Sequence, residues 1–134
     1  VKPLIVALFI ALLPLSASAG EAPSAAEKAG EAWLMLVDTK QYSESWLTAS
    51  FEFQKGIGQA NWGDAVGPIR DRLGKVMSRK VGSVKKTTSM PGLPDGEYTT
   101  IEYQTIFANK ANAKETITLI SDNGVPKVGG YFIN

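Results

Sequence analysis

The sequence predicts an α+β domain in which N-terminal helices pack on a four-stranded antiparallel meander. Three observations carry this reading. Between residues 23 and 73 the apolar side chains recur at spacings of three and four, the period of a helix with one buried face. Beyond Lys75 the spacing falls to two, the period of a strand. The period-two segments are joined by short turns rich in Pro, Gly, Asn and Asp, too short for the roughly dozen residues that a parallel crossover requires.

Residues 1–19, VKPLIVALFIALLPLSASA, open with Lys2, continue through an apolar run from Leu4 to Leu15 and finish in Ala17-Ser18-Ala19. That order is the pattern of a secretory signal peptide. The apolar run of about twelve residues is well short of the roughly twenty that span a bilayer, which argues against a membrane anchor. The expectation is cleavage after Ala19, a single domain over residues 20–134, a periplasmic or secreted location and no stable membrane insertion afterwards.

Residues 23–40 place Ala25, Ala29, Ala32, Trp33, Leu36 and Val37 on one helical face, and Ser24 with Glu27 three residues later is a capping box. A second helix is expected over 42–53, burying Trp46, Leu47 and Phe51. A third, over 59–73, would bury Trp62, Val66, Ile69 and Leu73. Pro68 predicts a kink or division near Gly67, because proline removes a helical hydrogen bond, and Gly74 suits the C-terminal cap.

The first strand is expected over 76–88, with a solvated face or a bend at Gly82. The central strand follows the turn in SMPGLPDGEYTTIEYQTIFAN, residues 89–109. There Thr99, Ile101, Tyr103, Thr105 and Phe107 share the greasier, buried face, and Tyr98, Thr100, Glu102, Gln104 and Ile106 share the other. Tyr103 and Phe107 are expected to meet Trp33 of the covering helix. Residues 108–113, ANKANA, read as a connection, 114–121 as the third strand, Asp122-Asn123-Gly124 as a tight turn and 125–133 as a last strand with Pro126 at an edge. Helices on one face of such a sheet give a cone-shaped layer of the cystatin-like or NTF2-like kind.

Composition removes several chemistries. The chain has neither His nor Cys, so thiol nucleophiles, imidazole catalysis, disulfides and the usual zinc and haem ligands are excluded, and no cofactor or transition metal is expected. Formal net charge is +1, and removal of Lys2 with the leader leaves thirteen basic against thirteen acidic residues, which gives no bulk attraction for nucleic acid.

Trp33-Leu34, Val37-Asp38, Tyr42, Ser45-Trp46, Ala49-Ser50, Trp62, Arg70, Leu73-Gly74 and Arg79 carry a resemblance that continues through Pro91-Gly92, Pro94-Asp95-Gly96-Glu97-Tyr98, Tyr103, Phe107, Glu115-Thr116 and Gly130-Tyr131-Phe132-Ile133. Over nearly the whole chain after the leader, the sequence resembles the bacterial exported DUF4019 family. The resemblance implies location and fold and brings no activity, substrate or catalytic residue with it. One departure is Val125-Pro126-Lys127, where the family pattern has an aromatic-basic pair.

No catalytic residue is assigned. The ligand-binding candidates are Trp33, Trp46, Trp62, Arg70, Glu102 and Tyr103. The three tryptophans, one per predicted helix, either line an aromatic pocket with Tyr103 and Phe107 or anchor the helices to the sheet, and core packing is the better reading. Glu102 is expected to be solvated or paired with Arg70, Arg79, Lys85 or Lys114. Asp64, Asp71, Glu97 and Glu115 complete the conceivable acid/base groups. Arg70, Arg72, Lys75, Arg79, Lys80, Lys85 and Lys86 form a basic stretch, either a solvated face or a contact for an acidic ligand. Gly56-Ile57-Gly58 lacks the Lys-Ser/Thr pair of a phosphate loop, and Asp122-Asn123-Gly124 lacks the further ligands of a calcium loop. Two function classes remain: a non-enzymatic binding or interaction module of the cell envelope, for a small ligand or an envelope protein, and an enzyme using carboxylate, Tyr and Arg groups in a cone-fold cavity.

Overall fold

The computed structural model describes residues 22–134, so the expected signal peptide lies outside the described residues. Four helices are followed by four strands: α1 (Ala25–Asp38), α2 (Tyr42–Thr48), α3 (Phe51–Gly56), α4 (Gln59–Leu73), β1 (Val76–Thr87), β2 (Tyr98–Phe107), β3 (Lys110–Asp122) and β4 (Val125–Ile133). The strands form one open sheet in the order β1-β2-β3-β4, each antiparallel to its neighbour, which is the predicted meander.

α1 begins where the capping box places it. Ser24 Oγ accepts from the Glu27 amide at 3.2 Å, and Glu27 accepts in return from the Ser24 amide at 2.8 Å, so two otherwise orphaned donors are satisfied. Its buried residues Gly30, Trp33, Leu34 and Val37 form the stripe that faces the sheet. At Gly30 a Cβ would stand 3.0 Å from the Tyr103 hydroxyl, so glycine lets helix and sheet approach closely.

The expected second helix is two helices. Ala49 and Ser50 are extended, Ser50 Oγ accepts from the Phe53 amide at 3.1 Å as the cap of α3, and the Ser50 amide donates to the Val128 carbonyl at 2.8 Å. The cap and this bond to β4 hold the backbone out of helical geometry. The break re-aims the side chains, so Leu47 and Phe51 are exposed and Phe53 enters the core in their place.

α4 runs as one helix through Pro68. Its buried stripe is Trp62, Val66 and Arg70, four residues apart, so the position expected for Ile69 is taken by a cation and Ile69 is exposed. Gly63 and Gly67 leave room for Tyr42, whose ring carbon lies 3.6 Å from a Cβ built on Gly67. Gly74 ends the helix with φ 77°, as the cap requires.

β2 buries Ile101, Tyr103, Thr105 and Phe107 on the predicted inner face, with Thr99 half-buried, and Gln104 and Ile106 are exposed. Tyr98, expected on the outer face with them, is instead buried, its ring beside Gly96 and its hydroxyl donating to the Pro94 carbonyl of the preceding turn. β3 starts earlier than expected, at Lys110, because the long β2 continues to find partners there, with Thr105 opposite Ala113 and Phe107 opposite Lys110. Weak strand formers are drawn into the ladder by register, a tertiary override of local preference. Asn123 and Gly124 turn the last hairpin with φ 50° and 82°. The register shift between Val81 and Ser83 places Gly82 in a bulge of β1, the predicted bend.

The core lies between the helices and the inner face of the sheet. Trp33 sits at its centre, with ring centroids of Phe53, Trp62 and Tyr131 at 6.0, 5.8 and 5.3 Å. Tyr103 belongs to the same cluster, but Phe107 does not meet Trp33; it is buried beneath Arg70, whose Cζ stands 5.1 Å from the ring centroid. The reason is geometric: α1 crosses over β4 and the middle of the sheet, and α4 brings its last turn to the end of β2.

Candidate functional site

Beyond its last core valine, α1 places Asp38 on the edge of its buried face, and α4 ends its buried stripe with Arg70. The inner face of the sheet answers with a polar side chain from each strand: Arg79 on β1, Thr105 on β2, Glu115 on β3 and Tyr131 on β4. Arg79 connects the layers. Its Nη1 and Nη2 donate to Asp38 Oδ2 and Oδ1 at 2.7 and 2.9 Å, and its Nε donates to Glu115 Oε1 at 2.8 Å. Arg70 Nη2 donates to Asp38 Oδ1 at 2.6 Å. Thr105 Oγ1 donates to Glu115 Oε1 at 2.6 Å, and the Tyr131 hydroxyl donates to Glu115 Oε2.

Two guanidinium groups thus face two carboxylates in a largely dry region, where Glu115 is fully buried. The bidentate fork on Asp38 is the strongest geometry available to such a pair. Burial works against the charge of Asp38, yet the hydrogen bonds from Arg79 and Arg70 outweigh it and hold its carboxyl below the ordinary value. Burial likewise opposes the charge of Arg79, and its bonds to Asp38 and Glu115 outweigh that and raise its pKa. Tyr131 is pushed up first by burial and then by the neighbouring Glu115 charge. Burial also pushes Tyr103 up, to about 12.

A lowered folded-state pKa at Asp38 means stability that is present above the unfolded value, about 3.9, and lost as pH falls through the folded value. The expected result is a denaturation midpoint that drops on acidification below about pH 4. Asp38→Asn should start lower at neutral pH and show a shallower acid limb, because it has no such proton to take up. Urea unfolding across that pH range checks it.

Beside the network lies a cleft of about 630 Å³ whose walls include Val37, Asp38, Tyr42, Arg70, Lys75 and Val76. Lys40 and Asp71 pair at its rim at 3.0 Å. Among the described residues, Arg70 Nε and Nη1 and the hydroxyls of Tyr42 and Tyr103 are buried without a hydrogen-bond partner.

The six ligand-binding candidates do not converge. Trp33, Trp62 and Tyr103 are core residues, and Trp33 Nε1 and Trp62 Nε1 are tied to the Ser45 carbonyl and hydroxyl at 2.8 and 2.9 Å. Trp46 is half-buried and donates to the Ile57 carbonyl at 2.7 Å. Glu102 lies on the outer face, with Lys114 Nζ 3.6 Å away. Arg70 alone of the six lines this cleft.

The family model for DUF4019, described as a protein of unknown function, matches residues 29–131. The chain belongs to the DUF4019 family. A search of curated proteins found no match. The matched span of the DUF4019 domain encloses the whole network from Asp38 to Tyr131, together with the cleft. Sequence reasoning placed Arg79 in a basic run and among the partners of Glu102, and Glu115 among the conceivable acid/base groups, and did not join them. The signal was present in β3, where Ala113, Glu115, Ile117 and Leu119 share the buried face: a carboxylate in a core register demands a cation. Among the described residues of this DUF4019 chain, no group of three or more acidic side chains is arranged to hold a metal ion. No helix among them is long and apolar enough to cross a membrane.

Proposed function

We propose that this chain is an exported binding module of the cell envelope, and not an enzyme, with the cleft beside Arg70 as its binding site. The observation that carries the reading is the pairing of a cleft of small-molecule size with buried donors on Arg70 and Tyr42 that the protein leaves unused. The rival reading, an enzyme of carboxylate, Tyr and Arg groups, needs a carboxyl or phenol poised near neutrality. Here the directions are opposite. Asp38 is held below the ordinary carboxylate range and the phenols of Tyr103 and Tyr131 are pushed up, which suits fixed charges and fixed hydroxyls better than proton transfer. Glu115 is engaged on both oxygens and sealed from solvent.

Export rests on the tripartite pattern of residues 1–19. Mass spectrometry of the protein recovered from the envelope of the native cell is expected to begin at Gly20, and recovery of Lys2 in a membrane fraction would contradict export. Binding is tested apart from export. The mature protein, added to its native envelope extract and recaptured, should retain a small ligand or a partner whose retention drops when the cleft is altered at Tyr42. Retention that ignores this cleft would move the site elsewhere.

A further inference from the structure

Arg70 is only 6% exposed, and one of its three nitrogens is engaged, Nη2 with Asp38. Nε and Nη1 are buried without acceptors, as is the Tyr42 hydroxyl, and both residues line the same cleft. A buried donor with no acceptor is destabilising, more so on a charged group, and native structures carry few of them. Two such side chains on one cleft mark a place where an acceptor arrives from outside.

We propose that this cleft binds a small carboxylic acid as its anion, with the carboxylate taken by Arg70 and Tyr42 and an apolar body lying against Val37 and Val76. The inference deepens the reading of the protein as a binding module and rests on it. A guanidinium has donors and no acceptor, so the ligand must accept hydrogen bonds. A cation is disfavoured because both carboxylates of the cleft are already engaged: Asp38 holds Arg70 and Arg79, and Asp71 holds Lys40. Lys75 adds a positive charge that has no ion pair among the described residues, so the uncompensated charge on the walls is positive. Planar carboxylate suits the guanidinium fork. The volume, about 630 Å³, is more than an inorganic anion needs, and the valines offer the excess to an apolar body. Tyr42 opens the α2 helix, and its ring lies against Gly67 of α4, where the missing side chain leaves room for it at the cleft wall.

The test is a titration of the purified chain with acetate, hexanoate and benzoate, followed by NMR at the Arg70 side chain and the Tyr42 amide. Sodium chloride at matched ionic strength and inorganic phosphate serve as controls. The expected result is saturable shifts at both residues, tighter for hexanoate or benzoate than for acetate. Tyr42→Phe should weaken binding about two- to tenfold, the value of one hydrogen bond. Its free form should unfold at the same temperature or higher, because an unsatisfied hydroxyl has gone. Arg70→Lys, which retains the charge beside Asp38 but not the fork, should weaken binding further. Absence of saturable shifts with all three acids, an equal response to chloride or phosphate, or unchanged binding in both variants overturns the proposal. Cleft-dependent capture of a macromolecule without any carboxylate response would reject this inference and leave the binding-module reading standing.

Discussion

Replacing Arg79 by methionine is expected to lower the unfolding free energy by about 3–5 kcal/mol, the effect of breaking a buried ion pair from one side. The size of the loss comes from what remains. Glu115 is fully buried and would retain Thr105 and Tyr131 as donors but lose its paired cation, while Asp38 would lose its bidentate fork and retain one bond from Arg70. Methionine fills most of the space of the arginine stem, so the change reports on charge more than on volume. Adding Glu115→Gln to Arg79→Met should recover part of the loss, since the stranded charge is then removed, and the two changes are expected to be strongly non-additive. Urea denaturation of the two single variants and the double variant checks this. A loss below about 1 kcal/mol for Arg79→Met would mean that the network is no stronger than an exposed pair.

Phe107→Ala is expected to cost about 3–5 kcal/mol, combining lost transfer energy with the cavity left behind. The ring is 1% exposed at the end of β2, and it also forms the surface on which the Arg70 guanidinium rests. Its removal should therefore loosen the arginine as well as the sheet. Glu102→Gln provides the contrast on the same strand. Glu102 faces outward, its side chain is 43% exposed, and Lys114 stands 3.6 Å away, so the change should stay within about 0.5 kcal/mol. Denaturant midpoints of the two variants decide it. Greater damage from Glu102→Gln would reverse the assignment of the faces.

Both variants separate what is local from what is not. The alternation of Ile101, Tyr103, Thr105 and Phe107 is visible in the sequence because strand period is a property of the backbone, and the buried face of β2 follows from it. The capping box of Ser24 and Glu27 and the Asn123-Gly124 turn were legible for the same reason: each is closed by atoms within a few residues. The break at Ala49 and Ser50 was not, because its decisive bond runs from the Ser50 amide to the Val128 carbonyl, far along the chain. The early start of β3 was hidden likewise, since Lys110 and Ala113 pair as strand only because β2 lies beside them.

The candidate site shows the same division more sharply. Residue types alone ruled out thiol, imidazole and disulfide chemistry, and periodicity alone ordered helices before a meander and marked the buried face of the central strand. Which charges meet was decided by the tertiary structure. Asp38 and Arg79 are 41 positions apart and Arg79 and Glu115 are 36 apart, and no local pattern couples residues at such separation. Arg70 reads from sequence as a binding candidate within a basic stretch whose role stays open, and it becomes the buried wall of a cleft only when α4 sets its last turn over Phe107 and against Asp38. A charge enters the interior when its partners are already there to receive it, and that condition is a property of the packed layers.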